Sequence, residues 1–498
     1  MNLPQEWGAV LQDFSEALGE PLRLCLREYD VLEPPAKVIL LKGRRSKYIG
    51  LVAERNPLAE KIRPVCEKPL NGKSAIFLYS FGFEVYQFLR NVFPQLRPKT
   101  FDHRPSFGCG DRLGMVSAAH VRALERFPVF PVLAQQSPRE LERTRRTFRE
   151  VLVDAAWGVL ESGYQGPFGA DADHIKDEER LLEAMDAGFT IYTLDLSGEV
   201  NHRILREGAS SLQGFSSNVR EILRWHARGR YVLSQDVRLE LSEEKLPPVV
   251  LSYLPAIEKV ERFSDLLRGR LGSSFSLEIS LDEGEGITSP EAHFFVAEEL
   301  RRRGVNFESL APRFPGSFEK GVDYIGDIEK FARALRVHAV IQRNLGGYRL
   351  SLHSGSDKFS IYPVFFQETG GFFHLKTSGT SWLRALETLA EARPELFFQV
   401  YRIAYDTFEE NAKAYHVSVR KEELPVTPEN ITKQDLRMLF VDPRIRQLLH
   451  IAYGSVLDAL GEELREVLAQ EEERHYGKVE ENIRKHLLAL FGESFKEV

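Results

Sequence analysis

The chain has 498 residues, too many for one ordinary core, so several domains or one barrel with large additions are expected. Hydrophobic residues at 43% and charged residues at 28% match globular, water-soluble proteins and exclude a disordered or fibrous chain. The 73 acids and 66 bases leave a net charge of -7, so there is no basic field to attract nucleic acid or an anionic membrane. Cys25, Cys66 and Cys109 are too few and too scattered for a disulfide framework, which fits a reducing compartment.

The first twenty residues carry acids early and lack the basic lead and apolar run of a signal peptide. No segment reaches the roughly 18 to 20 apolar residues that span a bilayer, so a cytoplasmic location is expected, with small molecules as partners and a homo-oligomer left open. Residues 1–100 show a helix-like opening and apolar runs at 38–41 and 75–85, and read as an N-terminal extension or cap.

From there to about Thr380 one theme repeats: a short apolar run ending in polar residues, then a capped amphipathic helix, then glycine. That rhythm predicts βα units and a parallel sheet. Strands are expected at 107–109, 130–136, 169–173, 190–195, 275–281, 307–311, 348–353 and 372–376. Ser137-Pro138-Arg139-Glu140 predicts a helix start with a capping box, the helix running toward Gly163. Thr288-Ser289-Pro290-Glu291 repeats the signature before a helix stopped near Gly304. Eight such units predict an α/β fold of the (β/α)8 triosephosphate isomerase type over 101–390, and 391–498 reads as a helical C-terminal region. In its last part, 461–490, acids and bases at helical spacing predict a solvated face.

Alternation along a barrel strand sends every second side chain inside. In Leu277-Glu278-Ile279-Ser280-Leu281-Asp282 the aliphatics belong outside, which turns Glu278, Ser280 and Asp282 inward; the same phase selects Arg349, Ser351 and His353, then His374 and Lys376. In Gly169-Ala170-Asp171-Ala172-Asp173-His174 two acids precede a histidine at a strand mouth; both could instead cap the next helix. Histidines and acids from separate strands suit a borderline divalent ion such as zinc, manganese, cobalt or nickel. We therefore expect His174, His353 and His374 as ligands, and Asp173 and Glu278 as proton acceptor and donor. Gln135, Ser354 and Lys376 are expected to bind substrate, as is Arg112, whose fork suits either a substrate carboxylate or a structural ion pair. The glycines of Gly108-Cys109-Gly110-Asp111-Arg112-Leu113-Gly114 miss the dinucleotide spacing by one position, and no acid follows where a ribose would need it.

Taken in order, FGCGDRLG at 107–114, PVLAQQS at 131–137, GADADHIK at 169–176, GFTIYTLDLS at 188–197, LEISLDE at 277–283, SLAPRFPGSFEKGVDYIGD at 309–327, LSLHSGSDKFSIYP at 350–363 and FHLKTSGTS at 373–381 resemble the tagaturonate/fructuronate epimerase family of bacterial hexuronate catabolism. The resemblance implies a metal-dependent isomerase that interconverts two keto sugar acids differing at C4. Since C4 is not next to the C2 ketone, direct deprotonation there is unstabilised. A retro-aldol and aldol route through an enediolate steadied by the cation is expected, with Lys376, Arg112 or Arg313 facing the C6 carboxylate. Another metal-dependent barrel aldolase, a ketose isomerase or a non-catalytic sugar-acid binding protein are the competing readings.

Overall fold

The computed structural model describes residues 6–31, 35–44, 46–59, 61–70, 73–208, 215–227, 229–492 and 495. Ahead of the barrel, β1 (Arg23–Val31), β2 (Ala36–Lys42), β3 (Lys47–Ala53), β4 (Cys66–Pro69) and β5 (Ala75–Ser80) pair antiparallel in the order β1-β2-β3-β5-β4. β2 and β5 are apolar on both faces because both are covered. Ile39, Leu41, Ile76 and Leu78 pack on Val10 and Phe14 of helix Glu6–Leu18, whereas Val38, Leu40, Phe77 and Tyr79 join the main core. The apolar run expected at 75–85 is therefore two elements, since helix Phe83–Val92 starts after Gly82.

All eight expected barrel strands form. They are β6 (Ser106–Cys109), β7 (Phe130–Gln136), β8 (Gly169–Ile175) and β9 (Ile191–Asp195), then, beyond a hairpin of β10 (Gly229–Val232) and β11 (Arg238–Leu241), β12 (Ser276–Ser280), β13 (Ser309–Ala311), β14 (Arg349–Leu352) and β15 (Phe373–Thr377). The strands run parallel, and the barrel closes where β15 pairs β6 and β9 pairs β12. The end away from the strand C-termini is filled by Phe101, Phe130, Val132 and Ile191 and by Arg349, which donates to Ser106 Oγ (3.1 Å) and the Asp102 carbonyl (2.6 Å). The barrel is thus a packed core with one open mouth.

One helix expectation needs correction. The helix from Pro138 stops at Thr144, because Arg145 adopts φ 52, and a second capping box at Thr147 and Glu150 starts a new helix, Phe148–Ser162, that ends at Gly163. The later helix, Pro290–Arg302, starts as expected, with Ser289 as its cap, and the Thr288 hydroxyl accepts from the Arg313 amide at 2.9 Å. The insertion between β9 and β12, with helix Leu246–Leu271, has no counterpart in the sequence reading.

The charged C-terminal segment is solvated on one side only. Helix Glu472–Phe491 buries Tyr476, Val479, Ile483 and Leu487 against the barrel's outer helices. Lys42 fastens three regions together, with Nζ 2.5 Å from Glu161 Oε1, 2.9 Å from Glu472 Oε1 and 3.0 Å from the Tyr476 hydroxyl. Among the described residues no helix is long and apolar enough to cross a membrane.

Candidate active site

The site grows from the inward side chains at the strand C-termini. Lys376 on β15 is buried, its Nζ 2.8 Å from Asp171 Oδ2, 2.7 Å from Asp173 Oδ1 and 2.7 Å from Glu278 Oε1, and it donates to Thr193 Oγ1 at 2.6 Å. Strands β8, β9 and β12 therefore all hold one ammonium. Burial opposes its charge, but the three acids hold its pKa well above the ordinary lysine value. Asp171 responds differently: burial, helped by repulsion from Asp173 and Glu278 and opposed by Lys376, raises its pKa to about 6.

Above this layer sit two imidazoles from opposite sides of the barrel. His353, just past β14, lies with Nε2 2.5 Å from Glu278 Oε1 and Nδ1 3.0 Å from Asp282 Oδ1. Burial works against a charged ring, yet Asp282 and Glu278 outweigh it and raise the pKa to about 10. His174 faces it, with ring centroids 5.0 Å apart. His174 has φ 53 inside β8, where one extra residue between Ala172 and Ile175 breaks the pairing with β9. This bulge swings the imidazole over the barrel mouth. His174 Nε2 lies 3.8 Å from both Asp173 Oδ1 and Glu283 Oε1, and Nδ1 lies 3.5 Å from Asp195 Oδ2. Against burial, Asp173, Asp195 and Glu283 raise its pKa to about 9.

These groups open into a cavity of about 410 Å³ lined by Asp173, His174, Asp282, Glu283, His353 and Lys376, together with Gln135, Ser354 and Arg112. Gln135 reaches it through a second bulge. One extra residue in β7 between Val132 and Ala134 shifts the phase, so Gln135 rather than Ala134 turns inward. Its amide is buried without a hydrogen-bond partner among the described residues, and Gly108 leaves it room, since a Cβ there would lie 1.7 Å from Gln135 Oε1. Ser354, at φ 48, accepts from Lys320 Nζ at 2.8 Å.

Three expectations change. His374 lies two residues before Lys376 on β15, roughly 6.6 Å lower at ~3.3 Å per residue. It does not line the cavity; Nδ1 is 2.9 Å from Ser106 Oγ, the ring packs 5.1 Å from Phe101, and burial lowers its pKa to about 3. Glu278 also sits beneath the cavity, outside its lining, where it holds His353, Lys376 and Ser309. Arg112 borders the cavity, but its Nε and Nη2 fork onto Glu140 Oε1 (3.1 and 2.9 Å), its plane covers Tyr453 at 3.9 Å and Nη1 donates to the His450 carbonyl, so it is a structural ion pair. Asp171 and Asp173 do not cap the next helix; Asp177 does. Sequence reasoning passed over Asp195, Glu283 and Lys320. The alternation along β9 selects Thr193 and Asp195, but the other two sit on loops without a period to reveal them.

Among the described residues no three histidine, cysteine or acid side chains form a preformed metal cage. The donor chemistry nevertheless fits a divalent ion: two imidazoles 5.0 Å apart, each with a buried Nδ1 that makes no hydrogen bond among the described residues, stand near Asp282.

A closed parallel barrel whose mouth gathers acids, imidazoles and a lysine around one cavity defines a (β/α)8 barrel enzyme. Residues 32–490 match the family model described as tagaturonate epimerase, and the chain belongs to that family as an enzyme of the isomerase kind. It is 42% identical over 493 residues to a tagaturonate/fructuronate epimerase of Thermotoga maritima, covering 97% of this chain and 100% of that protein. The glycerol-complexed crystal structure of fructuronate-tagaturonate epimerase from Cohnella laeviribosi superposes with a TM-score of 0.88 at 31% identity, covering 98% of this chain and 100% of that one. The native form of that enzyme gives a TM-score of 0.88 at 32% identity, covering 97% and 99% of the two chains.

Proposed function

We propose that this chain interconverts D-tagaturonate and D-fructuronate by opening and re-forming the C3–C4 bond at the barrel mouth. The observation that carries the reading is the meeting of His174 and His353, 5.0 Å apart, with Asp173, Asp282 and Glu283 around one cavity. Membership of the epimerase family supports the substrate pair. His174, His353 and Asp282 would hold a divalent cation, each imidazole giving up a proton to bind it. When bound, that cation supplies Lewis acidity for the oxygen that gains negative charge, usually worth several kcal/mol.

Asp173 accepts the C4 hydroxyl proton as the C3–C4 electron pair moves into a C2–C3 enediolate and C4 becomes an aldehyde. The aldehyde fragment turns its other face, the bond re-forms, and Glu283, whose Oε1 also lies 3.8 Å from His174 Nε2, returns a proton to the new C4 oxygen. Glu278 and Lys376, from below, fix the directions of His353 and Asp173. The unpartnered amide of Gln135 meets the sugar hydroxyls.

Solvent isotope tests this route. NMR of fructuronate formed from tagaturonate in D2O is expected to show no deuterium at C3 or C4, because neither carbon-bound hydrogen leaves. Deuterium at C4, or at C3 without cleavage, contradicts it.

A further inference from the structure

Positive charge in the cavity wall is mostly committed elsewhere. Lys376 is held by three carboxylates, Arg112 by Glu140, and Arg313 Nη1 donates to the carbonyls of Asp282 (3.1 Å) and Gly284 (2.7 Å). Lys320 differs. It lines the cavity, donates to Ser354 Oγ at 2.8 Å, and makes no ion pair among the described residues.

Its loop is clamped in place. Lys358 Nζ donates to the carbonyls of Glu319 (2.9 Å), Val322 (2.5 Å) and Ser356 (3.0 Å), and Arg446 Nε to that of Gly321 (2.7 Å). Glu319 accepts from the Ser418 amide at 2.8 Å. These contacts support the backbone around Lys320 and leave its charge unneutralised.

Beside Lys320 lies the start of helix Thr380–Ala392, whose N-cap, Gly379, provides no side-chain cap; Ser378, just before it, lines the cavity. The His450 ring packs on this N-terminus so closely that a Cβ on Gly379 would lie 1.9 Å from Nε2. His450 is 1% exposed, and neither ring nitrogen has a hydrogen-bond partner among the described residues. Burial, with Arg112, Lys320, Arg446 and Lys358 nearby, keeps the ring neutral. An ammonium at the cavity wall with no ion pair among the described residues, steadied by one serine hydroxyl, suits a carboxylate.

We propose that this end of the cavity is the subsite for the C6 carboxylate. Lys320, held by Ser354 and next to Ser378 at the start of helix Thr380–Ala392, recognises the carboxylate and sets the preference for sugar acids over neutral ketoses. The inference rests on the substrate class assigned above. With the carboxylate anchored here, C2 to C4 extend toward His174 and His353.

The test compares wild type, Lys320→Met and Lys320→Arg by calorimetric binding of the equilibrated tagaturonate/fructuronate mixture and by turnover, with D-tagatose as the neutral comparator. Loss of a charge-assisted contact is expected to weaken sugar-acid binding and raise KM about thirtyfold in Lys320→Met, with kcat changed less than about threefold and Lys320→Arg recovering most of the loss. D-tagatose binding and the melting temperature are expected to stay unchanged. Sugar-acid affinity within about threefold of wild type in Lys320→Met, or equal losses for acid and neutral ketose, would overturn the proposal. A wild-type protein that binds the sugar acid without epimerising it contradicts the reaction assigned above, while the Lys320→Met affinity still decides the subsite.

Discussion

Replacing His353 with alanine is expected to lower the rate of tagaturonate conversion by about a thousandfold, the scale of losing a group that steadies developing charge in a closed site. His353 touches both the buried layer, through Glu278 at 2.5 Å, and the cavity wall, through Asp282 at 3.0 Å. Its removal takes away a proposed cation ligand and one contact of Asp282, whose Oδ1 still accepts from Ser280 Oγ at 2.8 Å. Glu278 keeps Lys376 and Ser309 as partners, so the fold is expected to survive, with a stability loss of about 2 kcal/mol. NMR assays of turnover, paired with urea unfolding, separate the two effects. Activity within tenfold of wild type in the folded variant would remove His353 from the chemistry.

Lys376→Met is expected to damage both activity and stability. The ammonium is 3% exposed and holds Asp171, Asp173 and Glu278 within 2.8 Å. Removing it leaves three carboxylates in a buried space with no cation between them, and breaking one buried ion pair alone costs about 3 to 5 kcal/mol. Urea unfolding is therefore expected to show a loss of about 4 kcal/mol or more, and turnover to fall about a thousandfold as Asp173 loses its fixed position. Arginine is not expected to rescue it, because the fork is larger than the single point on which the three acids and Thr193 converge. A Lys376→Met protein of wild-type stability would show that the acids reach water or one another's protons without the lysine.

Much of this site was legible in the sequence because a barrel strand converts a period of two into an inside and an outside. That rule alone turned Asp171, Asp173, Glu278, Lys376 and His353 inward. It does not say how high along the barrel each side chain sits, which is why His374 and Glu278 were expected in the cavity although both lie a layer below it. Nor does it register a bulge: one extra residue in β7 brings Gln135 inward, and another in β8 redirects His174. Lys320 and His450 were out of reach for a different reason. One is on a βα loop and the other on a helix of the C-terminal region, and only tertiary packing brings the first to the mouth and the second against Gly379. The same limit applies to Arg112, whose residue type suits a substrate carboxylate and a buried Glu140 equally until the fold supplies one of them.

The most direct test of the central claim, cation-assisted chemistry at the His174–His353 cavity, is turnover of tagaturonate by protein stripped with chelator and then given manganese, cobalt, nickel or zinc singly. The account predicts that stripped protein does not form fructuronate and that at least one of these ions restores it in wild type but not in His353→Ala. Full conversion by the stripped protein would contradict it.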